Sequence, residues 1–381
     1  MSIEIAGLAD IVRRHAEQRP DAPALVHAGR TTSYAALDRA ASRVANGLLA
    51  EGLKPQARVA HLDKSSDIFF ELLFGVAKAN AVMVSVNWRL AAPEILHIVD
   101  DARAEILFVG EEYFPVIEKI RDQLKTVRKI VAFGARHAAW ESFAAWRDRQ
   151  AADDPRLPVR ATDTAVQFYT SGTTGLPKGA ELTNANFAWM LPLWTDSWRL
   201  SAGVPTLVCL PMFHIGGAGW GIAGLHAGAT NHVAREFVPA EILQIIEREK
   251  LQVMLLVPAM ILFLLQAPQV RETDLASLRL IVYGAAPIPA DLLKQAMGIF
   301  PCGFQQVYGL TETTGAVTLL PPEDHDPNDV KKLLSCGFAQ KGVELRIVGE
   351  DGKDLPTGEV GEIAVRSPQI MGGYWNLPEA T

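Results

Sequence analysis

The chain has 381 residues, of which 49% are hydrophobic and 21% charged, a balance typical of soluble globular proteins. Its formal net charge of −7 argues against a nucleic-acid partner, because no basic field exists to neutralise phosphates. Three widely spaced cysteines (Cys209, Cys302, Cys336) favour buried thiols over disulfides or metal ligation. The N-terminus lacks a signal-peptide pattern, and the longest apolar run, 253–265, falls short of the roughly 20 residues that span a bilayer. We therefore expect a reduced, cytoplasmic protein with no transmembrane segment.

Short apolar runs typical of strands alternate with amphipathic helical stretches from residue 58 onward. The first series has strands at 58–62, 81–86, 104–109 and 129–133, and helices at 66–80, 93–102 and 113–124. A polar, proline-containing segment at 148–161 precedes a second series, with strands at 164–170, 207–210, 252–257 and 278–284 and a helix at 239–250. Such alternation with short connections predicts parallel βαβ units.

Beyond Pro321 the pattern changes to that of antiparallel strands, at 342–349 and 359–367, with Asp351-Gly352 as a hairpin-turn dipeptide. The predicted fold class is α/β: two βα subdomains with mainly parallel sheets sandwiched by helices, plus a small antiparallel β-barrel-like subdomain. We place these subdomains at residues 1–160, 161–330 and 331–381, and expect the last to be incomplete.

A segment rich in glycine and hydroxyl side chains, TSGTTGLPKG at 170–179, follows the predicted strand 164–170. Glycines let a backbone approach an anion closely, hydroxyls donate hydrogen bonds, and Lys178 supplies a positive charge, so the segment has the chemistry of a phosphate loop. No GK[ST] ends it, which excludes the common P-loop, and a flexible surface loop is the alternative for this composition. Asn184 is the predicted N-cap of the helix that follows.

Three further motifs follow in order. Pro211-Met212-Phe213-His214 comes directly after a predicted strand, and a structural histidine is the alternative there. Tyr283-Gly284-Ala285-Ala286-Pro287 ends another strand in small residues against which a flat base can lie. Gln306-Val307-Tyr308-Gly309-Leu310-Thr311-Glu312-Thr313 offers an aromatic face, a hydroxyl donor and a hard carboxylate.

Taken together and in this order, these motifs resemble those of acyl-CoA synthetases of the adenylate-forming family, and the resemblance to the large AMP-binding domain covers nearly the whole chain. It implies that a fatty or aromatic carboxylic acid reacts with ATP and Mg²⁺ to give an acyl-adenylate, and then with coenzyme A to give a thioester. Segments 358–363 and 372–376 match family motifs that we interpret as turn-and-strand scaffold.

The resemblance also implies roles for individual residues. The catalytic residues would be Lys178, His214, Thr311 and Glu312, with Glu312 also binding Mg²⁺. The nucleotide would contact Thr170, Ser171, Gly172, Thr173, Thr174, Gly175, Gly284, Ala285, Ala286, Pro287, Gln306, Val307, Tyr308, Gly309 and Thr311. The acyl pocket would be formed by His214, Gly216, Trp220, Gly284 and Gly309.

Several alternatives remain open at this point. Trp220 either floors the acyl pocket, favouring a medium-chain or aromatic acid, or packs into the core; Trp189, Trp194 and Trp198 are expected to pack between helices. Many relatives have glycine where Val307 stands, which would reshape the pocket wall. The other functional readings are a non-catalytic nucleotide- or acyl-binding module and an amino-acid-activating domain, and a homodimer is left open.

The family pattern continues, beyond a segment like 374–381, to an aspartate that holds the ribose and to a small domain carrying the adenylating lysine. We expect this chain to lack both, to bind nucleotide and acid, and to show little turnover.

Overall fold

The structure, a computed structural model, describes residues 4–170 and 175–381. Four of the predicted phosphate-loop contacts, Ser171, Gly172, Thr173 and Thr174, lie outside the described residues. Among the helices within these ranges, none is both long and apolar enough to cross a membrane.

The helices alternate with strands along most of the chain. The α-helices are α1 (Ala9–Gln18), α2 (Tyr34–Ala50), α3 (Asp67–Lys78), α4 (Ala92–Asp101), α5 (Phe114–Ile120), α6 (Phe143–Asp148), α7 (Asn184–Ser197), α8 (Ile215–Ala227), α9 (Pro239–Glu249), α10 (Pro258–Gln266), α11 (Ala290–Ile299) and α12 (Val330–Leu333). Short 3-10 turns cover Glu111–Tyr113, Arg121–Gln123, Pro268–Arg271 and Pro322–Asp324.

The predicted strands are found to within a few residues, and further strands that were not predicted accompany them. They are β1 (Pro23–His27), β2 (Arg30–Ser33), β3 (Arg58–Leu62), β4 (Val82–Ser85), β5 (Ala104–Gly110), β6 (Lys129–Phe133), β7 (Glu141–Ser142), β8 (Thr164–Thr170), β9 (Lys178–Thr183), β10 (Pro205–Val208), β11 (Thr230–Val233), β12 (Val253–Leu256), β13 (Leu280–Gly284), β14 (Gly303–Leu310), β15 (Gly315–Leu320), β16 (Phe338–Ala339), β17 (Glu344–Val348), β18 (Glu362–Arg366) and β19 (Gly373–Tyr374).

Two large sheets form, and both are mainly parallel as predicted. Among the described residues, one has the order β19-β9-β8-β4-β3-β5-β6-β7 and the other β16-β15-β14-β13-β12-β10-β11-β1-β2. Strands β9 and β19 at one end of the first sheet, and β2, β15 and β16 in the second, pair antiparallel. Helices cover the sheets, and α3 is apolar almost all round because it lies buried against α2 and both sheets.

The strands of each sheet come from both sides of residue 160. Strands β1 and β2 join the second sheet through parallel pairing of β1 with β11, whereas β8, β9 and β19 join the first. The predicted boundary at residue 160 therefore does not separate the sheets. Hydrophobic periodicity identifies strands but carries no information about their long-range partners, so this exchange could not be read from the sequence.

The segment after residue 330 forms a small antiparallel sheet, as predicted, but it is not barrel-like. Strands β17 and β18 pair with each other alone, while β16 and β19 extend the two large sheets. Asp351-Gly352 does turn the chain, within a tight local hairpin closed by a bridge between Val348 and Asp354. Gly352 adopts a φ of +73°, which favours glycine.

The predicted N-cap at Asn184 is off by one residue. Thr183 caps α7: its hydroxyl accepts a hydrogen bond from the Asn186 backbone N–H, and the Asn186 side-chain oxygen accepts one from the Thr183 N–H. Asn184 instead links α7 to the N-terminal segment, accepting a bond from the Leu8 N–H. Both residues are good caps by type, so only the tertiary contact decides between them.

Candidate functional site

A cleft of about 980 Å³ opens where the strands of the two sheets end. Strands β10, β12, β13 and β14 of the second sheet all point their carboxyl ends into it, the position at which parallel sheets bind ligands. The first sheet contributes the end of β8 and the start of β9. The predicted site residues that line the cleft are Thr170, Lys178, His214, Gly216, Ala285, Gly309, Thr311 and Glu312.

Glycines allow the strand ends to lie this close together. A Cβ on Gly284 would overlap the carbonyl oxygen of Val307, and one on Gly309 would overlap that of Gly315. The next residue after β13, Ala285, is held at a φ of +64°, which is unusual for a residue with a side chain. Such backbone strain clusters at functional sites, and here it lies on the wall of the cleft.

The structure does not bring all the predicted nucleotide contacts to the cleft wall. Gly284 and Val307 line a smaller side chamber instead, and the remaining predicted contacts that are described line neither cavity: Gly175, Ala286, Pro287, Gln306 and Tyr308. Side chains alternate along a strand, so Val307 and Gly309 share one face of β14 while Tyr308 lies on the other. The stacking of Tyr308 on adenine thus stays a prediction.

Glu312 and Lys178 face each other across Tyr374. The Tyr374 hydroxyl donates a hydrogen bond to Glu312 Oε1 at 2.6 Å, and the Lys178 ammonium lies 4.7 Å from the centre of the Tyr374 ring. The Thr170 hydroxyl also reaches Glu312 Oε1, at 3.4 Å. Burial and the hydrogen bond to Glu312 raise the pKa of Tyr374 to about 12, so this hydroxyl stays protonated. Within the described part of the chain, Lys178 forms no ion pair.

Sequence reasoning missed Tyr374. The motif at 372–376 suggested a scaffold, and its pairing does have that role, since β19 extends the first sheet beside β9. The same pairing places the Tyr374 ring in the cleft. Nothing in the local pattern signals this, because the contact depends on a pairing between segments about 190 residues apart.

Glu312 suits a Mg²⁺ ion that is shared with a nucleotide. Among residues 4–170 and 175–381 no three His, Cys, Asp or Glu side chains converge as a metal cage. Mg²⁺ keeps most of its waters and binds through one or two carboxylates plus substrate phosphates, so a single carboxylate beside the predicted phosphate loop fits this mode.

His214 and Arg89 also line the cleft. His214 precedes α8, with its side chain free of any capping bond. Desolvation by the surrounding protein lowers the pKa of His214, and the Arg89 charge lowers it further, so the imidazole is neutral at pH 7. The Arg89 guanidinium stacks 4.6 Å from the Trp88 ring and has no ion pair with any described residue. Sequence reasoning missed Arg89, which follows β4 in a segment without a recognisable motif.

An apolar side chamber of about 100 Å³ adjoins the cleft at Leu210, Ile215 and Gly216. Its walls include three adjacent indoles that are tilted against each other, with ring centres 4.4 Å apart for Trp194 and Trp198 and 4.9 Å apart for Trp198 and Trp220.

Trp220 lies in the core and also lines the chamber, while its role as the floor of an acyl pocket stays a prediction. It is 2% exposed, donates a hydrogen bond to the Thr206 hydroxyl at 3.0 Å, and also forms chamber wall. The expectation that Trp194 and Trp198 only pack between helices is corrected, because both line the chamber. Gly315, at a φ of +103°, leaves the space that the Trp194 ring occupies. Trp189 is 41% exposed and lies outside the chamber.

The profile of a family described as AMP-binding enzyme matches residues 12–375. A fatty acid–[acyl-carrier-protein] ligase, ScoC of Streptomyces coeruleorubidus, is 39% identical over 96% of this chain and 70% of its own length. An indoleacetate–CoA ligase of Aromatoleum aromaticum is 35% identical over 98% of this chain and 72% of its own. The inhibitor-bound N-terminal domain of FACL13 from Mycobacterium tuberculosis superposes with a TM-score of 0.91 at 31% identity, covering 99% of this chain and 93% of that domain.

Proposed function

Because this chain belongs to the AMP-binding enzyme family, we propose that it activates a carboxylic acid with ATP and that the acyl group then passes to a thiol. The observation that carries this proposal is the convergence of Lys178, Thr311, Glu312 and His214 on one cleft with an apolar chamber beside it. In the first step a carboxylate oxygen forms a bond to the α-phosphorus. The bond from that phosphorus to the bridging oxygen breaks, and pyrophosphate leaves with the electron pair.

The residues of the cleft perform this step mainly by positioning and by electrostatic stabilisation. Lys178 neutralises phosphate charge, and the Thr311 hydroxyl donates to an α-phosphate oxygen. Glu312 would hold Mg²⁺, which would neutralise further charge on the triphosphate. In the same cleft, the Arg89 guanidinium attracts the carboxylate of the acid, and the neutral His214 donates a hydrogen bond to it without competing as a second cation.

The chamber indicates a small aromatic acid or a short- to medium-chain acid. A dry cavity of about 150 Å³ binds benzene, so a chamber of about 100 Å³ accepts part of a ring or a few carbons. Indole faces favour flat, apolar groups. A longer chain would have to run instead along Met260 and Phe263 at the cleft rim, where Phe263 is 49% exposed.

Coenzyme A is the thiol that we propose. One relative acts on an acyl carrier protein, which makes a carrier-protein thiol the competing acceptor. Offering each thiol separately to the preformed acyl-adenylate, and measuring which becomes acylated, decides between them.

The test is isothermal titration of the chain with ATP·Mg²⁺. We expect saturable binding that the double variant Lys178→Ala/Glu312→Ala weakens by at least roughly 10- to 150-fold, which is the loss expected from a single charge-assisted contact of about 1.5–3 kcal/mol. A matched control, Lys54→Ala/Glu272→Ala, removes the same two charges from exposed positions and should leave the affinity unchanged.

The absence of ATP binding at millimolar concentration would contradict the proposal. ATP and acid binding without any pyrophosphate release would favour the non-catalytic module. Binding of an α-amino acid in preference to the matching deaminated acid would favour the amino-acid-activating alternative.

A further inference from the structure

Strand pairing fixes Tyr374 between the two charged groups of the proposed phosphate site. In the β9–β19 pair, Tyr374 lies opposite Ala180, two residues from Lys178 on the same face of β9. The Met371 N–H donates a hydrogen bond to the Glu312 carbonyl at 2.9 Å, so this segment is fastened to Glu312 as well. The position of the Tyr374 ring is therefore determined from both sides.

The two groups that Tyr374 touches have opposite charges. Glu312 receives the Tyr374 hydroxyl bond at 2.6 Å, and Lys178 lies 4.7 Å from the ring centre, yet the two form no ion pair with each other. Opposite charges in a partly desolvated cleft attract strongly. A direct Lys178–Glu312 ion pair would occupy both the ammonium needed by a phosphate and the carboxylate needed by a cation.

We propose that Tyr374 is a positioning residue that keeps Lys178 and Glu312 apart, so that each remains available to the nucleotide and its cation. The ring acts as the spacer and receives the ammonium on its face. The hydroxyl holds one carboxylate oxygen and leaves the other uncommitted. This inference rests on the proposed nucleotide site and adds a residue that the sequence analysis assigned only to the scaffold.

The decisive measurement is the affinity for ATP without divalent metal, in EDTA, because Lys178 contributes to it and a Glu312-bound cation does not. Replacing Tyr374 with leucine removes both spacer and hydroxyl. We expect Tyr374→Leu to weaken metal-free ATP binding roughly tenfold or more, since Lys178 becomes engaged by Glu312. In a Glu312→Gln background no ion pair can form, so Tyr374→Leu should weaken metal-free ATP binding by less than about threefold.

Two further variants separate spacing from general damage. Tyr374→Phe keeps the ring, so its metal-free ATP affinity should stay close to that of the unsubstituted chain. Tyr169→Phe is the matched control, because the Tyr169 hydroxyl also donates to a carboxylate, that of Asp101 at 2.6 Å. The effect of Glu312→Gln on ATP binding should be the same with and without Tyr169→Phe.

If Tyr374→Leu weakens metal-free ATP binding equally with Glu312 and with Glu312→Gln, this inference is overturned while the proposed function stands. A merely structural role of Tyr374 predicts that result. A loss with Tyr374→Phe as large as with Tyr374→Leu would also overturn it. If the unsubstituted chain binds no ATP, with or without Mg²⁺, the proposed function fails and this inference fails with it.

Discussion

Enlarging the side chamber at Trp220 should lengthen the acyl tail that the protein accepts. The chamber holds about 100 Å³. At the roughly 30 Å³ that one water occupies in the liquid, this is space for about three methylene-sized groups. Each methylene buried there contributes about 0.8 kcal/mol, or roughly fourfold in affinity, until the chamber is full. Trp220→Ala removes the indole from the wall, so the rise in affinity should continue over several more methylenes.

The assay is calorimetric titration with non-hydrolysable acyl-sulfamoyl adenosines, which mimic the acyl-adenylate, in a series of straight-chain tails. Because Trp220→Ala also leaves the Thr206 hydroxyl without its donor and costs roughly 3–5 kcal/mol of stability, Trp220→Phe should be measured beside it. Trp189→Ala makes the same truncation at an exposed position and serves as the control. If the optimal tail length is the same in Trp220→Ala and the unsubstituted chain, the chamber is not the acyl pocket.

Three other perturbations test single features. The lowered pKa of His214 predicts that the affinity for a benzoyl-sulfamoyl adenosine is constant from pH 7 to 8 and changes only below the ordinary histidine pKa of about 6.5; a titration step above that pH would contradict this. Arg89→Ala should weaken binding of free benzoate roughly tenfold or more in equilibrium dialysis while leaving the ATP affinity unaltered; equal effects on both ligands would argue against a carboxylate role. Burial raises the pKa of Asp154, but hydrogen bonds from Arg13 and Lys78 outweigh it and hold that pKa below its ordinary value. The resulting stability is complete above about pH 3.9 and is lost as the pH falls below it. Asp154→Asn should abolish that acid-dependent loss and, because buried Lys78 keeps its ion pair with Asp38, cost only the charge-assisted contacts of Asp154, roughly 1.5–3 kcal/mol in urea unfolding at pH 7; an unchanged midpoint would refute this.

The sequence predicted these elements well because the burial pattern of a strand or helix is visible in the periodicity of its own hydrophobic residues. The runs at 58–62 and 129–133 are strands with these bounds, and the helix predicted at 239–250 begins at Pro239 and ends one residue earlier. The structure brings Lys178, His214, Thr311 and Glu312 to one cleft, since each follows or begins a strand whose end meets that edge, while their catalytic roles stay predictions.

What the sequence could not supply were the contacts made across the chain. Tyr374 reaches Glu312 only because β19 pairs with β9, and Trp194 forms chamber wall only because Gly315 leaves room for its ring. Both contacts depend on partners distant in the sequence, which the hydrophobic periodicity of a segment does not identify. The Thr183 cap is a smaller case, in which two adequate caps are adjacent and a distant backbone group selects one of them.

The exchange of strands between the sheets has a consequence for how the polypeptide can be divided. A cut in the loop at 149–160 would separate β1 and β2 from the sheet they complete and leave β3 to β7 without β8. Each fragment would expose an unpaired strand edge that only the other can cover. Fragments 1–155 and 156–381 should therefore be insoluble when expressed separately but should reassemble when co-expressed, which makes this loop a natural position for a split-protein reporter of acid and nucleotide binding.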